Sequence, residues 1–240
     1  MNTFHPVKSG KISELISRQI KGAILDGALT QGDRLPSERE LVEKFQASRI
    51  SVREALKSLE TSGLLTIRPG SGVFVAEVSS KPVTESLFNV LRMKNASLND
   101  LTEARVILEP SIARLACKKM SSEHLQKLEE NIEEALALVR SHFSARLKNI
   151  EFHSLFAEST GNSALSLTMK TLLEVQSQMS SEILDHSPKN IEVSRRAVSD
   201  HRKIAKAFRE KDPEKVHDLM LEHVLQIQKG LKGEVWKKAR

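Results

Sequence analysis

From Lys11 to Asp26 the apolar residues Ile12, Leu15, Ile16, Ile20, Ala23 and Ile24 recur at steps of three and four. That is the period of an amphipathic helix, and Gly27 supplies its stop. A turn-rich stretch, Thr30 to Pro36, leads into Ser37-Glu38-Arg39-Glu40, where Ser37 is placed to cap a helix and Glu40 to reciprocate three residues on. This second helix turns Leu41, Val42 and Phe45 inward and ends at Gln46-Ala47. A third starts near Ser48, or at Ser51 if Ser51 and Glu54 form the capping box. It turns Val52, Ala55, Leu56 and Leu59 inward and stops at Ser62-Gly63. Residues 64–68 and 73–75 are β-prone and flank Pro69-Gly70-Ser71-Gly72, so a hairpin is predicted directly after the third helix. Three short helices and a hairpin make a winged helix-turn-helix.

Residues 77–97 mix polar residues, Pro82 and a short apolar stretch around Leu87 to Leu91, and read as a linker with one short helix. Beyond them every segment has helical periodicity, at roughly 98–120, 122–141, 144–159, 163–184, 191–210 and 213–231. The breaks have explicit chemistry: Gly161-Asn162 as stop and next cap, Ser187-Pro188 as a loop, Asp212-Pro213 as cap and first helical residue. The expected fold is mainly α, with a winged domain over 1–76, an antiparallel all-α bundle over 98–232 and a tail at 233–240.

At 240 residues the chain is long enough for two such domains. No apolar run approaches the roughly 18 residues of a membrane span, and Met1 to Gly10 lacks the apolar core of a secretory signal. The expectation is a cytoplasmic protein with no membrane partner. One cysteine, Cys117, excludes an internal disulfide framework, and its apolar neighbours Ile112, Leu115 and Ala116 place it in a core. With no Tyr, one Trp and eight Phe, platforms for stacking single-stranded bases are not expected, which leaves duplex DNA. The net charge of +6 gains meaning from its location: from Lys44 to Arg68 there are five basic residues (Lys44, Arg49, Arg53, Lys57, Arg68) against Glu54 and Glu60. Such an excess suits a phosphate-tracking surface, or a solvated helix face.

Arg49 and Arg53 lie four residues apart, hence on one face of the third helix, opposite Val52, Ala55, Leu56 and Leu59. An outward guanidinium can pair with guanine O6 and N7 or hold a phosphate, and hydroxyls at Ser48 and Ser51 can add phosphate contacts. The alternative is a solvated face with Arg53 paired to Glu54 or Glu60. The ordered set Gly32-Asp-Arg-Leu-Pro-Ser-Glu-Arg-Glu-Leu41, Ser48-Arg49, Val52-Arg53-Glu-Ala-Leu56, Leu59-Glu60, Gly63-Leu64 and Gly70-Ser-Gly-Val-Phe-Val75 resembles the GntR family of bacterial regulators. The resemblance implies that Arg39, Ser48, Arg49, Ser51, Arg53 and Gly70 contact operator DNA, and that the chain acts as a homodimer on a palindromic site.

Of eight histidines, His5, His124, His142, His186 and His217 read as packing or solvated residues. His153, His201 and His223 are separated by 48 and 22 residues and form no local metal motif. Residues 98–230, however, resemble the FCD-type effector domain of the FadR subgroup within that family, through Glu103-Ala-Arg105-Val-Ile-Leu-Glu109, Asn149-Ile-Glu-Phe-His153, Asp200-His201 and Glu222-His223. The resemblance implies a divalent metal, zinc or nickel, held by Asn149, His153, His201 and His223. It also implies a small carboxylate effector paired with Arg105. Asn149 departs from the usual Asp, and its neutral amide is a weaker ligand. Two other readings compete: a metal-dependent hydrolytic enzyme fused to a DNA-binding module, and an architectural DNA binder without a ligand. No motif supplies a general base for the first, and the long helical domain argues against the second.

Overall fold

The computed structural model of the protein describes residues 10–77, 79–180 and 188–231. Its contacts divide the chain into two compact units, one ending at Pro82 and the other beginning at Val83.

The first unit contains α1 (Gly10–Leu25), α2 (Glu38–Phe45), α3 (Arg49–Thr61), β1 (Leu65–Arg68) and β2 (Gly72–Val75). Ser37 caps α2: its Oγ accepts from the Glu40 amide, while Glu40 Oε2 accepts from the Ser37 amide at 2.8 Å. Gln46 takes a left-handed conformation (φ 48°) to end α2, and Ser48 caps α3, which resolves the choice between Ser48 and Ser51. The strands pair antiparallel, Leu65 opposite Val75 and Arg68 opposite Gly72. Ile16, Ile20, Leu35, Leu41, Val52, Ala55, Leu56, Leu59, Leu65, Val73 and Val75 close a single core. Burying one Leu contributes about 1.5–3 kcal/mol against about 1 kcal/mol for a cap, so the apolar face holds the helices together and the caps fix where they start. Gly63 is at φ +74°, and a Cβ there would lie 2.5 Å from Pro82 Cγ. Only glycine fits that turn into the wing.

The second unit is all helical among its described residues. It comprises α4 (Lys81–Met93), α5 (Leu98–Lys119), α6 (Ser122–Arg140), α7 (Arg146–Ser159), α8 (Ser163–Met179), α9 (Pro188–Glu210) and α10 (Pro213–Leu231), α4 beginning just before the division. α5 packs along α10, α6 against α7 and α9, and α7 also meets α5, α8 and α9. α7 is therefore central, which explains why Phe152, Phe156 and Ala157 are all fully buried on it. A smaller cluster joins Leu87, Phe88 and Leu91 of α4 to Leu98, Leu101, Val175 and Met179.

Two boundaries differ from expectation. α9 runs from Pro188 instead of starting after a Ser187-Pro188 loop; a proline at the first helical position forfeits no hydrogen bond. α8 ends at Met179 with Ser180 as its cap, and its expected extension to 184 lies outside the described residues, as do Ser187 and the 233–240 tail. Among the described residues no helix is long and apolar enough to cross a membrane.

Candidate functional sites

In the first unit the start of α3 is built by hydroxyls. Ser48 Oγ accepts from the Ser51 amide at 3.1 Å and lies 2.9 Å from Ser51 Oγ. Ser51 is buried, so its hydroxyl fixes the beginning of the helix instead of standing free on the basic face. Arg49 and Arg53 are exposed, and both reach one carboxylate, that of Glu38 on α2: Arg53 Nε lies 3.0 Å and Arg49 Nε 3.7 Å from Glu38 Oε2. Neither Glu54 nor Glu60 takes Arg53. Glu60 instead accepts from Lys57 Nζ at 2.8 Å and from the Ile67 amide at 3.2 Å, tying α3 to the wing. Arg39 pairs with Glu43 at 3.2 Å. Exposed pairs of this kind are worth about 0–1 kcal/mol, little enough for a DNA phosphate or guanine edge to displace them. Gly70 sits at the tip of the hairpin at φ +74° with open space around it. Gly72, at φ +117°, is backed by Arg34, whose Nε would be 2.9 Å from any Cβ there.

In the second unit His153 of α7, His201 of α9 and His223 of α10 converge in the interior, with one ligand-capable nitrogen from each lying within 4.8 Å of the others. All three are buried. The ring centroids are 5.2 Å apart for His153–His201, 5.3 Å for His153–His223 and 4.9 Å for His201–His223. Phe152 stacks on His201 at 3.7 Å and 10°, holding that ring in one plane.

The nitrogens are differentiated by their neighbours. His153 Nδ1 lies 2.8 Å from Glu109 Oε2, close although not aligned as a linear hydrogen bond. The other Glu109 oxygen accepts from Arg105 Nε, and Arg105 Nη1 donates to Gln176 Oε1 at 2.7 Å. His223 Nδ1 is 3.4 Å from Asp200 Oδ2, and Asp200 Oδ1 accepts from Lys203 at 3.0 Å. The Nε2 atoms of His153, His201 and His223 have no hydrogen-bond partner; nor do Asn149 Oδ1 and Arg105 Nη2. Each buried orphan costs about 1–3 kcal/mol, so several in one place call for a ligand that satisfies them together.

The charge states agree with that. Burial pushes His153 down to about 4, with Glu109 opposing only in part, and burial with the neighbouring His223 and His153 pushes His201 well below the ordinary range. Both rings are neutral near pH 7, the form that binds metal. Burial pushes Glu109 upward, but Arg105 and His153 overcome it and keep the carboxyl well below the usual range. Three converging imidazoles, two of them neutral near pH 7, are a donor set for a borderline divalent ion, so the histidines fit the metal that the resemblance implies.

Asn149 lies one turn before His153 on α7, half-buried and with its Oδ1 unpartnered, while Arg105 is joined to His153 through Glu109. The arginine is less free than expected, with one nitrogen unpartnered. Of the other histidines, His124 contacts Ser121 Oγ and His217 contacts Asp218, while His5 and His186 lie outside the described residues. Cys117 is buried in the core, and burial pushes its thiol up, away from reactivity. Sequence reasoning assigned no role to Glu38, Glu109 or Asp200. The i,i+4 spacing of Arg105 and Glu109 was the available signal for one of them.

A winged helix-turn-helix and a helical unit with a buried polar cluster, carried on one chain, define a ligand-responsive DNA-binding regulator. Residues 12–75 match the bacterial regulatory proteins of the gntR family, and residues 100–226 match the FCD domain. The chain belongs to the GntR family: it is a DNA-binding transcription regulator with an FCD effector-binding domain, and not an enzyme. It is 30% identical over 224 residues to the uncharacterized HTH-type transcriptional regulator YcbG of Bacillus subtilis, covering 92% of this chain and 91% of that one. It is 29% identical over 220 residues to the Uxu operon transcriptional regulator of Escherichia coli, covering 90% and 85%. Among solved structures, Streptococcus agalactiae GntR matches with a TM-score of 0.71 and 30% identity over 91% of this chain and 99% of that one.

Proposed function

We propose that this regulator, a member of the FadR subgroup, works in the cytoplasm as a homodimer on palindromic operator DNA. Its grip is set by a small carboxylate metabolite bound at the histidine cluster together with a divalent ion, zinc or nickel. The observation that carries the reading is the convergence of three buried histidines whose Nε2 atoms have no partner.

On the DNA side, Arg49 and Arg53 release Glu38 and read base edges or phosphates. Arg39, Ser48 and the Gly70 tip meet the backbone, and Ser51 acts by holding the start of α3. On the effector side, Asn149, His153, His201 and His223 hold the ion, and Arg105 Nη2 donates to the carboxylate. The bound ion supplies Lewis-acid attraction for the effector's oxygens. The histidines come from three different helices, so a ligand there acts on the packing of α7, α9 and α10 together.

The test is calorimetric zinc titration of the metal-stripped full chain and of His201→Ala, followed by thermal-shift screening of carboxylic and sugar acids with and without zinc. One ion per chain, weakened by the substitution, and a melting temperature raised by an acid only when zinc is present are expected. Failure of the wild type to bind zinc or nickel would contradict the metal reading.

A further inference from the structure

The three converging histidines bring no negative charge to the site, and the amide of Asn149, one turn before His153, has none to add. Moving a divalent cation into a buried site lined only by such groups is unfavourable unless negative charge stands close by. Two carboxylates do. Glu109 is fully buried, with Oε2 at 2.8 Å from His153 Nδ1, and Asp200, mostly buried, has Oδ2 at 3.4 Å from His223 Nδ1. In both cases the carboxylate is on the Nδ1 side of the ring, as a hydrogen bond for His223 and as a close but unaligned contact for His153, while neither Nε2 has a partner. The other oxygen of each is taken by a cation, Arg105 for Glu109 and Lys203 for Asp200, so neither carboxylate has to turn away to be satisfied.

We propose that Glu109 and Asp200 are the anionic positioning residues of this site: each accepts the Nδ1 proton of one histidine, fixes that ring with Nε2 directed at the ion, and supplies the charge that Asn149 does not. The inference rests on the metal reading above and assigns the site's electrostatics to residues outside the ligand set. A hydrogen bond from the far nitrogen to a carboxylate raises the basicity of a ligand imidazole, and losing such a partner typically weakens metal affinity 10- to 100-fold. On this reading a site with asparagine in place of aspartate holds a divalent ion because negative charge, partly offset by Arg105 and Lys203, stands across the imidazole rings from it. Asn149 and Glu109 then stand in a compensatory relation, since a carboxylate at either position reduces the need for the other.

The experiment is calorimetric titration of zinc into the metal-stripped full chain for wild type, Glu109→Gln, Asp200→Asn, and each of these combined with Asn149→Asp. The cobalt absorption spectrum and the melting temperature of each are recorded. Each single substitution is expected to weaken zinc binding 10- to 100-fold while the cobalt spectrum keeps the wild-type ligand signature, and Asn149→Asp is expected to recover most of the loss. Should Glu109→Gln fail to fold because Arg105 is left buried and unpaired, Asp200→Asn carries the test, its carboxylate lying nearer the surface. Wild-type zinc affinity in the folded single variants, or no recovery on adding Asn149→Asp, overturns this inference and leaves the metal site standing. Absence of zinc and cobalt binding to the wild type overturns both.

Discussion

Acidifying the metal-stripped protein should destabilise the helical unit by an amount set by its buried imidazoles. His153 is pushed down to about 4 in the fold by burial, against about 6.5 in the unfolded chain. Between those values the unfolded chain binds a proton that the folded one refuses, so stability is full above about pH 6.5 and falls as the pH drops toward 4. Integrated from pH 7 to pH 5, that single ring costs about 2 kcal/mol at 1.36 kcal/mol per unit. His201, lowered in the same direction by burial and by the neighbouring histidines, adds to the loss. Glu109 does not contribute in this window, because its depressed folded value places its own loss below about 4.5. The assay is urea unfolding followed by far-ultraviolet circular dichroism in a chelating buffer at pH 7.0, 6.0 and 5.0. A stability that is flat over that range, or a His153→Leu variant that keeps the full pH dependence, would refute the buried-neutral assignment.

Two further outcomes concern the first unit. Arg53→Ala should weaken specific operator binding by about 1–3 kcal/mol, the worth of a bidentate base contact, with the fold retained; unchanged affinity at fixed salt would remove Arg53 from the interface. Gly63→Ala should destabilise the winged unit by about 2 kcal/mol or more, since left-handed backbone alone costs a substituted residue about 1–2 kcal/mol and the added Cβ meets Pro82. Calorimetric melting of the variant checks it, and a wild-type transition would show that the turn tolerates a side chain.

The winged unit was legible because its signals are local. Ser37 and Glu40 sit three residues apart and cap each other, Ser48 caps α3, and Gly63 and Gly70 mark turns at which φ is positive. What periodicity could not show was the partner of Arg53: Glu38 is fifteen positions away, across the turn between α2 and α3, and its capping-region position gave it another evident use. The histidine cluster is the opposite case. His153, His201 and His223 occupy three helices, and no spacing rule brings them together; the family resemblance did, and packing around α7 explains it. The resemblance points to the histidines but not to the carboxylates beside them. Glu109 is recognisable only once α5 and α7 are seen in contact, when its carboxylate is found between Arg105 and His153. From sequence Pro188 reads as a loop marker, although a proline serves equally as the first residue of a helix, as it does in α9.

The central claim is that the helical unit controls the grip of the winged unit on DNA through the ligand it binds. The direct measurement is fluorescence anisotropy of the full chain on an operator selected from random duplexes, at fixed salt. It is made without additions, with zinc, and with zinc plus the carboxylate that raises the melting temperature most. Allosteric couplings of about 1–3 kcal/mol correspond to a 5- to 150-fold change in dissociation constant. The account predicts a change of that size with zinc and the acid together, abolished in His201→Ala. An operator dissociation constant that stays the same at saturating zinc and acid would contradict it.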